Sequence, residues 1–249
     1  MRLAAAIVML TRIPVPIRTL PPDWLPRAAK YFPLVGTGTG LVQGLVFVAL
    51  AAVLPGSLAA LLSIAAALLL TGAFHEDGLA DTFDSFGGAS AGARLAIMKD
   101  SRIGTYGTLA LLAALALQAT ALTALPAGEV LAILVAAHAG ARLAGVLVMA
   151  GSVHAGDPAQ AKIALGPDRI APREIAVAVA IAVAASLPVF LSDPLRAGAA
   201  PFCAAGAAGL MAWRGCRGLG GHTGDVLGAV ASVFLTTFLV AAAAEWTAP

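Results

Sequence analysis

Apolar, nearly uncharged runs long enough to cross roughly 30 Å of hydrocarbon recur along this chain, at about 34–54, 57–74, 104–125, 129–151, 174–191 and 226–246, with a shorter one near 199–213. Each is bounded by Pro, Gly or charge. A backbone in hydrocarbon has no water to bond to, so only helices or a closed barrel satisfy its amides. No two-residue alternation marks strands. The expected fold class is therefore all-α, a polytopic integral membrane protein with about seven transmembrane helices. Composition agrees: 249 residues that are 60% hydrophobic and 11% charged leave too little polar surface for a water-soluble domain.

If the chain changes sides at every run, one side receives Arg2, Arg12, Arg18, Arg27 and Lys30, then Arg94, Lys99 and Arg102, then Lys162, Arg169 and Arg173, then Arg214 and Arg217. The other receives only Arg196. The positive-inside rule makes the first side cytoplasmic, and four loops agreeing on one side support seven crossings. Any chemistry is expected on that face. The net charge of +2 is too small to argue for nucleic acid as a partner. Leu3 to Leu10 is apolar but runs into Thr11-Arg12-Ile13-Pro14, and it reads as a retained interfacial or re-entrant piece rather than a signal peptide. Cys203 and Cys216 would lie roughly 20 Å apart along a helix, too far for a disulfide. With no internal repeat and no low-complexity linker, residues 1–249 read as one domain. Gly36, Gly40 and Gly44 set small residues on one helix face, a packing seam rather than a phosphate loop.

Three polar segments interrupt the apolar pattern. In Phe74-His75-Glu76-Asp77-Gly78-Leu79-Ala80-Asp81-Thr82-Phe83-Asp84, four carboxylates fall within nine positions. On a helix Asp77, Asp81 and Asp84 occupy i, i+4 and i+7 and share one face. Such mutual repulsion is resolved by a hard cation, Mg²⁺ or Mn²⁺, which prefers carboxylate oxygens and leaves room for substrate phosphates; the alternative is a solvated acidic helix end. Met98-Lys99-Asp100-Ser101-Arg102-Ile103-Gly104-Thr105-Tyr106-Gly107 offers Lys99 and Arg102 to diphosphate oxygens, or merely as membrane anchors. Gly218-Leu219-Gly220-Gly221-His222-Thr223-Gly224-Asp225 offers a proton carrier in His222 and an acceptor in Asp225, or simply a capped helix start. Arg142 falls inside a span and should face the interior, toward a carboxylate or a phosphate. His138 reads as a packed or hydrogen-bonded span residue and His154 as a loop residue.

These segments, with Leu10-Thr11-Arg12-Ile13-Pro14-Val15-Pro16, Tyr31-Phe32-Pro33-Leu34-Val35-Gly36 and Gly221-His222-Thr223-Gly224-Asp225-Val226-Leu227-Gly228-Ala229, resemble in order the pattern of the cobalamin synthase (adenosylcobinamide-GDP ribazoletransferase) family over nearly the whole chain. The resemblance implies an enzyme of the last assembly step of cobalamin biosynthesis. Adenosylcobinamide-GDP and α-ribazole, or its 5′-phosphate, would give adenosylcobalamin, or its 5′-phosphate, with release of GMP. It implies a multi-pass protein of the bacterial inner membrane whose site faces the cytoplasm. It implies a Mg²⁺ cofactor on Glu76, Asp77, Asp81 and Asp84; catalytic roles for His222, Asp225 and Asp84; and substrate binding by Lys99, Arg102, Asp100, Arg12, Arg142 and His75. The implied partners are the corrinoid nucleotide, α-ribazole and the bilayer, with a homo-oligomer left open. One stretch departs from the family pattern: an aromatic, arginine-containing loop is expected over 151–166, where this chain reads Ser152-Val153-His154-Ala155-Gly156-Asp157.

Two other readings fit parts of this pattern. The spaced acids also resemble the membrane CDP-alcohol phosphotransferases, but no Gly followed by two Asp at four-residue spacing comes after Asp84. A cation-coupled transporter would set its ionisable groups near mid-membrane, whereas here only Arg142 is expected to lie deep.

Overall fold

The computed structural model describes residues 1–17, 19–21, 23–155 and 170–246, and among them the chain is helical, with no strand beyond an isolated bridge between His154 and His222. The order is α1 (Arg2–Leu10), α2 (Trp24–Ala28), a 3₁₀ turn (Ala29–Tyr31), α3 (Phe32–Ala51), α4 (Gly56–Thr71), α5 (Phe74–Ser85), α6 (Ala91–Met98), α7 (Thr105–Ala124), α8 (Val130–Gly151), α9 (Pro172–Ser192), α10 (Pro194–Leu219) and α11 (Gly224–Ala242). Six helices are long and apolar enough to cross a membrane, and α4 with α5 makes a seventh if that bent pair is one span. The all-α polytopic expectation holds.

Two boundaries differ from the sequence reading. The short run at 199–213 belongs to a 26-residue helix, α10. Its early start is set by Asp193, whose side chain accepts from the Arg196 amide, followed by Pro194 in the first helical turn, where its missing N–H costs nothing. The run at 57–74 stops at Thr71, because Gly72 and Ala73 adopt left-handed backbone (φ 69 and 56) and α5 leaves at 91° to α4. The four carboxylates of Glu76–Asp84 follow the turn, so the apolar run and the acidic run form two helices rather than one.

The centre of the bundle is α11, 72% buried over its hydrophobic window against 22% for α7, α9 and α10. Leucines and phenylalanines on the outer helices, such as Leu69, Leu112, Leu191 and Phe202, project outward. That is the pattern expected where lipid replaces water as the surrounding solvent. The Gly36, Gly40, Gly44 seam is where α3 meets α8. A Cβ on Gly36 or Gly40 would come within 2.4 Å of the His138 or Leu134 carbonyl oxygen, so the two backbones touch. The segment α1 packs Ala5, Ala6 and Leu10 against Leu25, Ala29, Phe32 and Val35. Both cysteines are free thiols, as their spacing required. At the face carrying few charges, Arg196 is neutralised by Glu129 and Asp193. At the opposite side of the chain's connections, Lys30 pairs with Glu174 at 2.6 Å and ties the 3₁₀ turn to α9.

Candidate active site at one end of the bundle

Helix α5 carries two faces. His75, Gly78, Leu79, Thr82 and Ser85 follow a helical stripe and are buried. Gly78 lies against the start of α11, where a Cβ would meet the Asp225 carbonyl oxygen at 2.6 Å, and a Cβ on Gly228 would in turn lie 3.2 Å from the Gly78 Cα. With that stripe consumed by packing, Asp77 is exposed and Asp81 and Asp84 are half-buried, at the i, i+4, i+7 spacing expected. The glycine between the acids thus serves backbone contact with the His222–Asp225 segment, which brings the first and third polar segments together.

Asp84 is committed to a second junction. Its two carboxylate oxygens accept from the backbone amides of Gly104 (2.7 Å) and Gly107 (2.8 Å) at the start of α7. A Cβ at either glycine would lie 2.4–2.5 Å from that carboxylate, so both positions must be bare for the charge to reach the helix N-terminus. The second polar segment is therefore joined to the first through Asp84.

Within the second segment, Asp100 and Arg102 face each other at 2.5 Å on an exposed surface. The hydrogen bonds from Arg102 pull the Asp100 carboxyl down to about 2, and Asp100 raises the Arg102 guanidinium in return. Lys99 is exposed at the end of α6. Arg94 donates from Nε to the Gly88 carbonyl at 3.0 Å and lies flat over Gly218 of α10, where any Cβ would collide with its guanidinium. Arg12 covers the α4–α5 bend: its amide donates to the Leu70 carbonyl at 2.7 Å and its side chain occupies the space beside Gly72.

His222 sits in a loop whose partners lie on the 151–155 stretch. Its amide donates to Val153 O and its carbonyl accepts from Ala155 N, both at 2.8 Å. Ser152 Oγ donates to Val148 O, so the hydroxyl hydrogen is used and the oxygen accepts from His222 Nδ1 at 2.9 Å. That leaves Nε2 as the lone-pair nitrogen of a neutral ring, buried and without a hydrogen-bond partner. Burial, then the nearby His154, lowers the His222 pKa to about 4, so the ring is neutral at pH 7. Thr223 caps α11 by accepting from the Val226 amide at 3.2 Å, and Asp225 stands in its first turn. The capped-start reading and the proton-carrier reading thus fall on adjacent residues, Thr223 and His222. Sequence reasoning gave Ser152 and His154 no part in the site; their pairing with His222 spans about seventy positions, and no local signal marks it. Residues 156–166 of the departing stretch lie outside the described residues.

Other expected site residues are drawn away from this end. Glu76, His75 and Arg142 line the bundle interior with His138, so Arg142 is not the only deep ionisable group. The sequence expectation that only Arg142 lies deep is therefore corrected: Glu76, in the first turn of α5 just after the 91° bend, also lines the interior. His138 Nε2 meets Gln43 Oε1 at 2.6 Å, a hydrogen-bonded span residue as expected. Among the described residues no group of three or more His, Cys, Asp or Glu is arranged to hold a metal ion. Asp77 and Asp81, one turn apart and outside the packed stripe, are the two acids whose placement suits a hydrated cation sharing its coordination sphere with phosphate.

The architecture is that of a multi-pass membrane protein with a polar, carboxylate-bearing site built from inter-helix junctions at one end of an apolar bundle. The chain belongs to the cobalamin-5-phosphate synthase family, whose sequence profile matches residues 2–243. An adenosylcobinamide-GDP ribazoletransferase of Leptothrix cholodnii is 40% identical over 232 residues, 90% of this chain and 88% of that protein. Enzymes of the same name from Shewanella amazonensis and Shewanella frigidimarina are 53% and 52% identical over 104 residues, covering 41% of this chain and 40% of each. No solved structure matches.

Proposed function

We propose that this chain joins adenosylcobinamide-GDP to α-ribazole or its 5′-phosphate, releasing GMP and giving adenosylcobalamin or its 5′-phosphate, and that it does so with Mg²⁺ at the cytoplasmic face of the bacterial inner membrane. The observation that carries this reading is the division of α5, with one stripe packed on α11 and Asp77 and Asp81 left on the accessible side, in a family whose named relatives are ribazoletransferases. The clustering of basic residues in loops on one side supports the orientation.

In the reaction a ribazole hydroxyl oxygen attacks the phosphorus nearer the cobinamide. The P–O bond to the GMP portion breaks, GMP leaves with the electron pair, and the hydroxyl proton passes to an acceptor. Asp77 and Asp81 are the residues that would hold Mg²⁺, which when bound neutralises charge on the diphosphate oxygens. Lys99 and Arg102 stand on the adjoining segment as cations for the same oxygens. Asp84 keeps the start of α7 against α5, which holds those cations near the acids. His222 Nε2, the lone-pair nitrogen of a neutral ring held by Ser152, is the candidate proton acceptor, with Asp225 in the adjoining helix turn. Positioning and electrostatics supply the rate in such transfers, since little covalent chemistry falls to the protein.

Purified protein in detergent, given adenosylcobinamide-GDP, α-ribazole and Mg²⁺, should release GMP in step with corrinoid product. No GMP under any divalent cation would overturn the proposal.

A further inference from the structure

Inside the bundle, away from the acidic face of α5, lies a cavity of about 20 Å³ between α3, α4, α5, α7, α8 and α11. Its polar lining is Gln43, Thr71, Glu76, Gln118, His138 and Arg142. Most of these groups are already satisfied: Gln43 by His138, Gln118 by Thr236 at 2.9 Å, and Thr71 by the Ala67 carbonyl. Three buried atoms on lining residues carry no hydrogen-bond partner: Glu76 Oε2, Arg142 Nε and His138 Nδ1. Arg142 and His138 are 5% and 3% exposed, so bulk water does not serve them.

The three atoms are chemically complementary. Arg142 Nε–H is a donor and Glu76 Oε2 an acceptor. Because Gln43 Oε1 accepts from His138 Nε2, the neutral ring has its lone pair at Nδ1, a second acceptor. Among the described residues Glu76 and Arg142 form no direct ion pair, yet an unpaired charge at this depth is costly. The volume exceeds the roughly 10–15 Å³ that one water requires, and three polar partners are the usual number for a buried one. A metal cation is disfavoured there by the guanidinium.

We propose that Glu76 and Arg142 form an intramembrane ion pair bridged by a single bound water, which accepts from Arg142 Nε and donates to Glu76 Oε2 and His138 Nδ1. The pair ties the first turn of α5 to α8 immediately after the 91° bend, so it fixes the direction in which the acidic helix leaves α4. Glu76 then belongs to the scaffold beneath the acidic face.

Thermal unfolding in detergent of Glu76→Gln, Arg142→Met and the double variant tests the pairing. Each single change strands a buried charge and should lower Tm, whereas the double change removes both charges and should melt above either single variant. A double variant whose loss equals the sum of the two single losses would overturn the pair. If no variant folds, a map of the wild-type protein at a resolution that shows ordered water decides. A density peak within hydrogen-bond distance of both Arg142 Nε and Glu76 Oε2 is expected, and its absence overturns the bridge.

Discussion

Asp81 stands one helical turn beyond Asp77, outside the stripe of α5 that packs on α11. Asp81→Asn should lower turnover roughly 10²-fold or more and raise the Mg²⁺ concentration for half-maximal rate. Full activity at unchanged Mg²⁺ demand would remove Asp81 from the metal site. For His222 the sign of the pH effect follows from its lowered pKa of about 4. The folded state holds the ring neutral while the unfolded chain protonates near 6.5, so the stability present above pH 6.5 is lost progressively as pH falls toward 4. Wild-type Tm should drop across that window, and His222→Gln should flatten the drop. If Nε2 takes the substrate proton, kcat of the wild type should hold steady from pH 8 to 6 and fall only as the ring protonates near 4. His222→Ala should then cost roughly 10²- to 10⁴-fold. A near-normal rate in His222→Ala would leave proton management to Asp225 and the metal. Of these residues the sequence made Asp81 and His222 visible, because an acid repeat and a glycine-flanked histidine are local patterns. It could not show Ser152, which fixes the ring's tautomer from another loop.

The elements meet through glycine, and a substitution series separates contact from mere flexibility. Gly40 has the Leu134 carbonyl 2.4 Å from a built Cβ, whereas Gly38, on the other side of the same helix, has nothing within 4 Å. Gly40→Ala should destabilise the α3–α8 pair by about 1–3 kcal/mol through overpacking, while Gly38→Ala should be neutral or stabilise by up to about 1 kcal/mol from helix propensity. Equal losses would deny the close approach. This seam was legible from small residues at four-residue spacing. The junction of α5 with α7 was not, since it pairs Asp84 with backbone amides twenty and more residues away, and the sequence alone offers Asp84 only as another acid. Gly107→Ala puts a methyl 2.5 Å from that carboxylate and 2.8 Å from the Ala80 carbonyl. It should cost about 1.5–3 kcal/mol, the worth of a hydrogen bond to a charged group. It should also lower kcat, because Lys99 and Arg102 would shift relative to Asp77 and Asp81. A variant that loses stability but keeps kcat would limit Asp84 to a structural part.

At the scale of the whole chain, α4 decides whether the chain makes seven crossings, because it is shorter than the 57–74 run expected to span. Sixteen residues rise roughly 24 Å, less than the 30 Å of a typical hydrocarbon layer, and α5 leaves at 91° rather than extending it. Three contacts favour a complete crossing. The carboxyl end of α4 is met by Arg12 through the Leu70 carbonyl, and α5 is met by the start of α11 through Gly78. Arg94 beyond α5 in turn lies on Gly218 at the end of α10. The amino-terminal segment, the α5–α6 region and the α10–α11 connection therefore share one end of the bundle, which are three of the basic regions that the positive-inside rule assigns to the cytoplasm. For α4 to dip in and return to the side it left, α5 would have to lie at the end occupied by Pro55 and Glu129, where these contacts cannot form. A short span accommodated by a thinned bilayer or by flanking charge costs only fractions of a kcal/mol per Å, so 24 Å is enough. A topology reporter fused after Gly56 should accordingly read as periplasmic and one fused after Gly88 as cytoplasmic. The same side at both positions would make α4 and α5 a re-entrant loop and reverse every later helix, carrying the acidic helix and the His222 loop together to the periplasmic face.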